Sequence, residues 1–277
     1  TINVSADTET TSGDILINSD KMALTGTLTG TAVVTLRNSS GADAINLGSV
    51  TDAAANTLEL SSTELNNVTA TTLRIGSTGM GALSVSSAIA PTGTTLLSLI
   101  TGSTVSQSAA IAETNLAVDA AGAVTLTSAN DVTTLAIDTS TGNIQFTDAN
   151  GFTVGTVDSE TGIDTDAGSL TLIATTGNLT VENTAATDDI QATSTITITL
   201  LGDDALFTTN TGSDIESTGG AHTYTSDKMD LDGTLTATGQ IVTLKPNEAG
   251  ELVNLGSATD AAIDTLELSS SELNNIT

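Results

Sequence analysis

Asp164–Thr165–Asp166 and Asp230–Leu231–Asp232–Gly233 each set two carboxylates two residues apart. In an extended backbone that spacing puts both side chains on one face. Hard oxygens at alternating positions beside a glycine suit a divalent cation. Asp164, Asp166, Asp230 and Asp232 are therefore the candidate metal ligands, and calcium is the one cofactor these residues suggest. Neither stretch is a full binding loop, and Asp at a chain corner also serves to cap backbone amides. An internal copy of the second stretch carries Ala23 and Thr25 where the two aspartates stand.

Other chemistry finds little to use. The chain has no Cys and one His, so thiol–imidazole catalysis is excluded and a repeated Ser–His–Asp site cannot exist. His222, in GGAHTYTSDK, reads as an exposed corner residue. Two carboxylates suffice for glycoside hydrolysis, and adjacent acids occur at Asp188/Asp189 and Asp203/Asp204. Three Phe, one Tyr and no Trp leave almost no aromatic platform for a sugar. No enzymatic activity is expected.

Thirty-three acidic residues against five basic ones, a net charge of −28, exclude nucleic acid as a partner, because neutralising phosphates takes Lys and Arg. The same charge repels an anionic membrane surface, and no apolar run has the length of a membrane span. The bland role of such charge is a solvated, aggregation-resistant surface.

The elements that must carry these residues repeat on two scales. NLGSVTDAAANTLELSSTELNNVT from Asn46 returns as NLGSATDAAIDTLELSSSELNNIT from Asn254, 208 residues later. Upstream, NSDKMALTGTL returns as TSDKMDLDGTL at an offset of 207. The long repeat therefore covers 19–69 and 226–277. A finer period aligns Ala123–Gly142 with Asn143–Gly162 without gaps, at 20 residues. Inside each copy apolar residues alternate with Thr, Gln or Asn, the pattern of half-buried strands. Val124, Leu126, Ile137, Ile144, Phe146, Val157, Leu170 and Leu172 are expected inward, with Thr125 and Gln145 outward.

Short strands between Gly, Asn and Asp corners, recurring every 20 or so residues, predict an all-β fold. It is a parallel β-helix, or β-solenoid, continuous over 1–277 at about 20 residues per coil. Stacked strands also explain a core of Val, Ile, Leu and Ala with few rings. One segment breaks the pattern: Ser61 with Glu64, and Ser269 with Glu272, have capping-box spacing. They predict short helical turns at Ser61–Asn67 and Ser269–Asn275, with Leu65 and Leu273 tucked over the core.

TLELSSTELNNVTATTLRIG (Thr57 to Gly76), APTGTTLLSL from Ala90 and LAVDAAGAVTLTSANDVTTLAI from Leu116 resemble blocks of large repetitive bacterial exoproteins. These are proteins of the filamentous-haemagglutinin, two-partner-secretion type. The resemblance implies a right-handed coil, export from a bacterium to the cell surface or medium, and a role in an extracellular fibre or in adhesion. The function expected first is a structural rod segment of an extracellular filament, sheath or stalk. Its partner would be further copies of the repeat, end to end, joined through the chain or stacked. The alternative is a secreted adhesin that takes a glycan or a cell-surface host protein on the lateral face of the coil.

Overall fold

The computed structural model describes residues 1–184 and 189–277; Asp188 lies outside them. The chain is nearly all β, a β-solenoid of about 11 turns with about 22 residues per turn. It divides into two compact units, Thr1–Val132 with Val157–Glu160, and Thr133–Thr156 with Thr161–Thr277.

In the second unit the strands stack in parallel columns. One runs through Ile144–Asp148, Leu170–Ala174, Ile196–Leu200, His222–Thr225 and Val242–Lys245, each paired in register with the next. Alternation decides which way each side chain points. Ile144, Leu170 and Ile196 form one buried row and Phe146, Leu172 and Ile198 a second, while Gln145, Thr171 and Thr197 face out. All eight expected core residues are buried, none more than 2% exposed, and Gln145 is exposed. The rings also lie inside. Phe146 meets Phe152 edge-on at 5.1 Å, and Phe207 stacks on Tyr224 at 5.3 Å.

The coil does not keep the gapless 20-residue register. Leu135 pairs with Val154, 19 residues on, but Ile137 pairs with Ile163, 26 residues on, not with Val157. Strands Thr156–Val157 and Glu160–Thr161 pair with each other instead, around a tip where Asp158 has φ 56°. This small hairpin lengthens one turn without disturbing the apolar alternation, so a gapless alignment could pass over it.

The first unit stacks Ile15–Asn18, Val33–Arg37, Thr72–Ser77, Leu96–Thr101 and Ala112–Ala120 in one column. Beside it run Ala44–Leu47, Leu83–Val85, Val105–Gln107 and the start of Val124–Thr139.

The twice-written sequence folds as one module each time. Ala44–Leu47 pairs with Thr57–Leu60 only 13 residues on, and Leu252–Leu255 pairs with Thr265–Leu268 at the same offset. The loop between each pair is held by a glutamate folded back from its own strand. Glu59 accepts from the Ser49 hydroxyl at 2.7 Å and the Ala54 amide at 2.8 Å; Glu267 accepts from Ser257 at 2.6 Å and Ala262 at 2.9 Å. A helix follows in each copy, Ser62–Asn66 and Ser270–Asn274, with complete capping boxes on Ser61/Glu64 and Ser269/Glu272. The copies differ in one predicted packing detail. Leu65 is fully buried, but Leu273 is 39% exposed. Over the first helix lies a later turn, whose Thr92 amide donates to Asn66 Oδ1 at 3.1 Å.

Candidate functional site

Each predicted metal ligand can now be placed. Asp164 faces outward on Ile163–Thr165, between Asp138 and Gln191 in the neighbouring strands. Asp166 is exposed just beyond that strand, its amide donating to the Thr139 carbonyl at 3.1 Å. No third carboxylate joins this pair within ligand distance among the described residues.

Asp230 and Asp232 sit in richer surroundings. Asp230 faces outward from Lys228–Leu231, whose Met229 and Leu231 are buried. Together with Asp232, Asp260 and Glu272 it lines a hollow of about 440 Å³. One oxygen each from Asp230, Asp260 and Glu272 lies within 4.8 Å of the others. Glu272 is fixed from both sides. Its Oε1 accepts from the Leu231 amide at 3.2 Å and its Oε2 from the Ser269 amide at 2.7 Å. Burial raises the Asp230 carboxyl, and Asp232 and Glu272 raise it further. Burial, then Glu272, Asp230 and Glu267, push Asp260 up to about 6.

The first copy shows what these acids replace. There Glu64 holds the Leu24 amide at the same 3.2 Å, and Asp52 stands where Asp260 does, but Ala23 and Thr25 remove the other two carboxylates. Lys21 reaches over to donate to the backbone carbonyls of Asp52 and Ala54. In the second copy the equivalent Lys228 turns to Asp204 at 2.9 Å. The second hollow thus gains acids and loses the lysine contact.

A bound calcium would relieve that repulsion. It would raise the melting temperature over that in chelator, and Asp260→Asn would abolish the rise. Equal melting in calcium and chelator would leave the carboxylates as solvated charge. Without divalent ions, Asp260→Asn is itself expected to stabilise slightly at pH 7. A carboxyl whose folded pKa is raised opposes folding once ionised. The effect should stay under about 1 kcal/mol, because solvent screens a partly exposed group.

Of the other acids named from the sequence, Asp203 is exposed and Asp189 anchors a turn. Asp189 is 2% exposed; its Oδ1 accepts from the Thr184 amide at 2.7 Å and its Oδ2 from the Asp214 amide at 3.0 Å. Asp204 holds Lys228.

His222 is not an exposed corner residue. Strand His222–Thr225 pairs with Ile196–Leu200, which sets His222 in the inward row opposite Ile196, fully buried. Ser217 Oγ donates to the Gly220 carbonyl at 2.5 Å, so it must accept from His222 Nε2–H at 2.8 Å. That leaves Nδ1 to accept from the Tyr224 hydroxyl at 2.9 Å. Burial holds the imidazole down to about 4. Every polar atom of the chain Tyr224–His222–Ser217 has a partner, and no solvent reaches the ring, so this is an interior brace with no route for a substrate.

Outward residues of the first unit form a different groove, of about 390 Å³, on which Arg37 and Arg74 both open. Asp158 grips Arg74 at two nitrogens, Nη2 at 2.8 Å and Nε at 3.2 Å. Neither arginine stood out in the sequence, since only strand register brings them together.

Comparison of the chain with family models, with curated proteins and with solved structures finds no match. No helix among the described residues is long and apolar enough to cross a membrane.

Proposed function

We propose that this chain is a structural rod segment of a bacterial extracellular filament, sheath or stalk, assembled from further copies of its own repeat. The supporting observation is that the twice-written sequence folds into the same module each time. Ala44–Leu47 pairs with Thr57–Leu60 and Leu252–Leu255 with Thr265–Leu268 at the same offset, and a capped five-residue helix follows each pair. Identical modules joined by turns of parallel stacked strands are the architecture of a solenoid that grows by adding repeats. The resemblance to large repetitive exoproteins points the same way and is the basis for the extracellular location.

Such a rod has a measurable period. At about 22 residues per turn and about 4.8 Å per turn, a 208-residue repeat spans about 45 Å of axis. Electron micrographs of native material are expected to show fibres with that axial period, and diffraction a 4.8 Å reflection along the axis. Discrete particles at micromolar concentration, or fibres whose strands run along the axis, would overturn the proposal.

A further inference from the structure

Two outward ranks of the second unit carry no carboxylate. Along the column from Ile144–Asp148 to Val242–Lys245, strand register aligns the outward side chains. Gln145, Thr171, Thr197, Thr223 and Thr243 make one rank, and Thr147, Ile173, Thr199, Thr225 and Lys245 the other. Other outward rows of the unit carry acids. Asp138, Asp164, Gln191 and Glu216 follow one another on one of them. On another, Thr134, Thr153, Thr180 and Thr208 lead to Asp230. In a chain of net charge −28, a face whose one charge is a lysine at its edge is an exception.

The hydroxyls on this face are unspent. Thr165 and Thr175 donate to the carbonyls of Gly142 and Asp148, each at 2.9 Å. Among the described residues Thr171, Thr197, Thr199, Thr223 and Thr225 have no such partner. Thr225 is only 8% exposed, yet alternation along its strand aims it outward beside Thr199. Each threonine is β-branched, so χ1 is held, and the stacked strands fix its backbone. The array is therefore set before any ligand arrives. Methyl and hydroxyl recur about every 4.8 Å from strand to strand, and the two ranks lie about 6.6 Å apart.

We propose that this face binds ice. Ranks of water oxygens on a prism face of hexagonal ice repeat at similar intervals in both directions, so the hydroxyls take lattice positions and the methyls rest between them. One hydroxyl gains little, because liquid water hydrogen-bonds it as well. A pre-formed array gains where one group does not, since no further order has to be imposed on it. A single threonine row, such as Thr134 to Thr208, matches one direction only. A second copy of the chain fits less well. The face measures about 24 Å by 13 Å, roughly 300 Å², against about 800 Å² per partner in a stable protein interface, and each copy brings the same negative charge. A crystalline glycan would want an aromatic platform, and the Phe and Tyr rings of the chain are all buried. Ice carries no net charge and presents a repeating surface of water. The assignment does not rest on the rod reading, since single chains and fibres would present the face alike.

The test grows single ice crystals in a solution of the whole chain and follows them by microscopy as the temperature falls below the melting point. Faceted crystals and a freezing point held below the melting point are expected. Thr197→Lys, at the centre of the array, should abolish both, and Thr223→Lys should do the same. Thr180→Lys, on the single row, should leave both unchanged. All three sites are outward and half-buried, so circular dichroism and melting temperature should match those of the parent. Round crystals with no freezing gap for the folded parent would overturn the proposal. So would an undiminished gap in both Thr197→Lys and Thr223→Lys, or a gap lost equally in Thr180→Lys. Pairing of the parent in sedimentation, undone by Thr197→Lys while ice grows as in buffer, would give the face to a second copy instead.

Discussion

Ile144→Asp is expected to unfold the turns around it, while Gln145→Asp, one residue on, leaves them intact. Ile144 is fully buried and pairs with Leu170, which is also fully buried. Above Leu170 in the same row come Ile196 and then His222. A carboxylate at 144 would meet apolar side chains and no cation. Ionised it lacks a partner, and protonated it still lacks hydrogen bonds, so the loss should reach at least about 4 kcal/mol. The cost falls on a solenoid, where each turn leans on its neighbours, so the loss spreads to adjacent turns. Gln145 points to solvent, and its replacement should change stability by no more than about 0.5 kcal/mol. Thermal melts followed by circular dichroism, with limited proteolysis, would show the contrast. Equal melting temperatures for the two variants would mean that the interior is not closed at this turn.

That contrast rests on the part of the fold that alternation made legible. A two-residue period in Ile144–Asp148 or Ile196–Leu200 names the inward side chains whatever the number of residues in the turn. The turn length itself is not written in the period. The hairpin tipped by Asp158 supplies Val157, buried and apolar like its aligned partner Ile137, so the eye finds the expected residue in the wrong register. The helices were legible for a local reason: Ser61/Glu64 and Ser269/Glu272 satisfy amides within four residues of themselves. The carboxylate hollow was half legible. Asp230 and Asp232 are neighbours in the chain, but Asp260 and Glu272 reach them only through closure of the coil, and the local pattern around Glu272 reads as a helix cap. The groove was invisible for the same reason, since Arg37 and Arg74 stand far apart in the chain and only the pairing of Val33–Arg37 with Thr72–Ser77 brings them to one face.

The burial of His222 has a signal in the sequence. HTYT alternates as TITIT does one turn earlier, and that pattern puts His222 and Tyr224 on the inner face. A polar residue at such a position is tolerated because its partners come from the same turn. Ser217 and Tyr224 lie five and two residues away.

The burial of that imidazole leads to the second large effect, a loss of stability on mild acidification. The folded pKa of about 4 stands below the ordinary value of about 6.5. Between those values the unfolded chain binds a proton that the folded chain refuses, so stability falls as pH falls. Above pH 6.5 the contribution is complete. By pH 4 about 3 kcal/mol of it is gone. The hydrogen bonds give the same direction, since a proton on Nδ1 displaces the Tyr224 hydroxyl from its only acceptor there. Carboxyls raised by burial and by neighbouring acids, Asp260 among them, gain stability over part of the same range and mask the total. A difference measurement removes them. In the double variant His222→Ile with Tyr224→Phe, the strand takes the apolar character of Ile196 and Ile198 beneath it, and no buried hydroxyl is left without a partner. Urea unfolding at pH 7, 5.5 and 4.5 should show the parent losing about 2–3 kcal/mol more than the double variant as the pH is lowered. Parallel pH profiles for the two proteins would mean that the ring is protonated in the folded state and is not enclosed as the strand register requires.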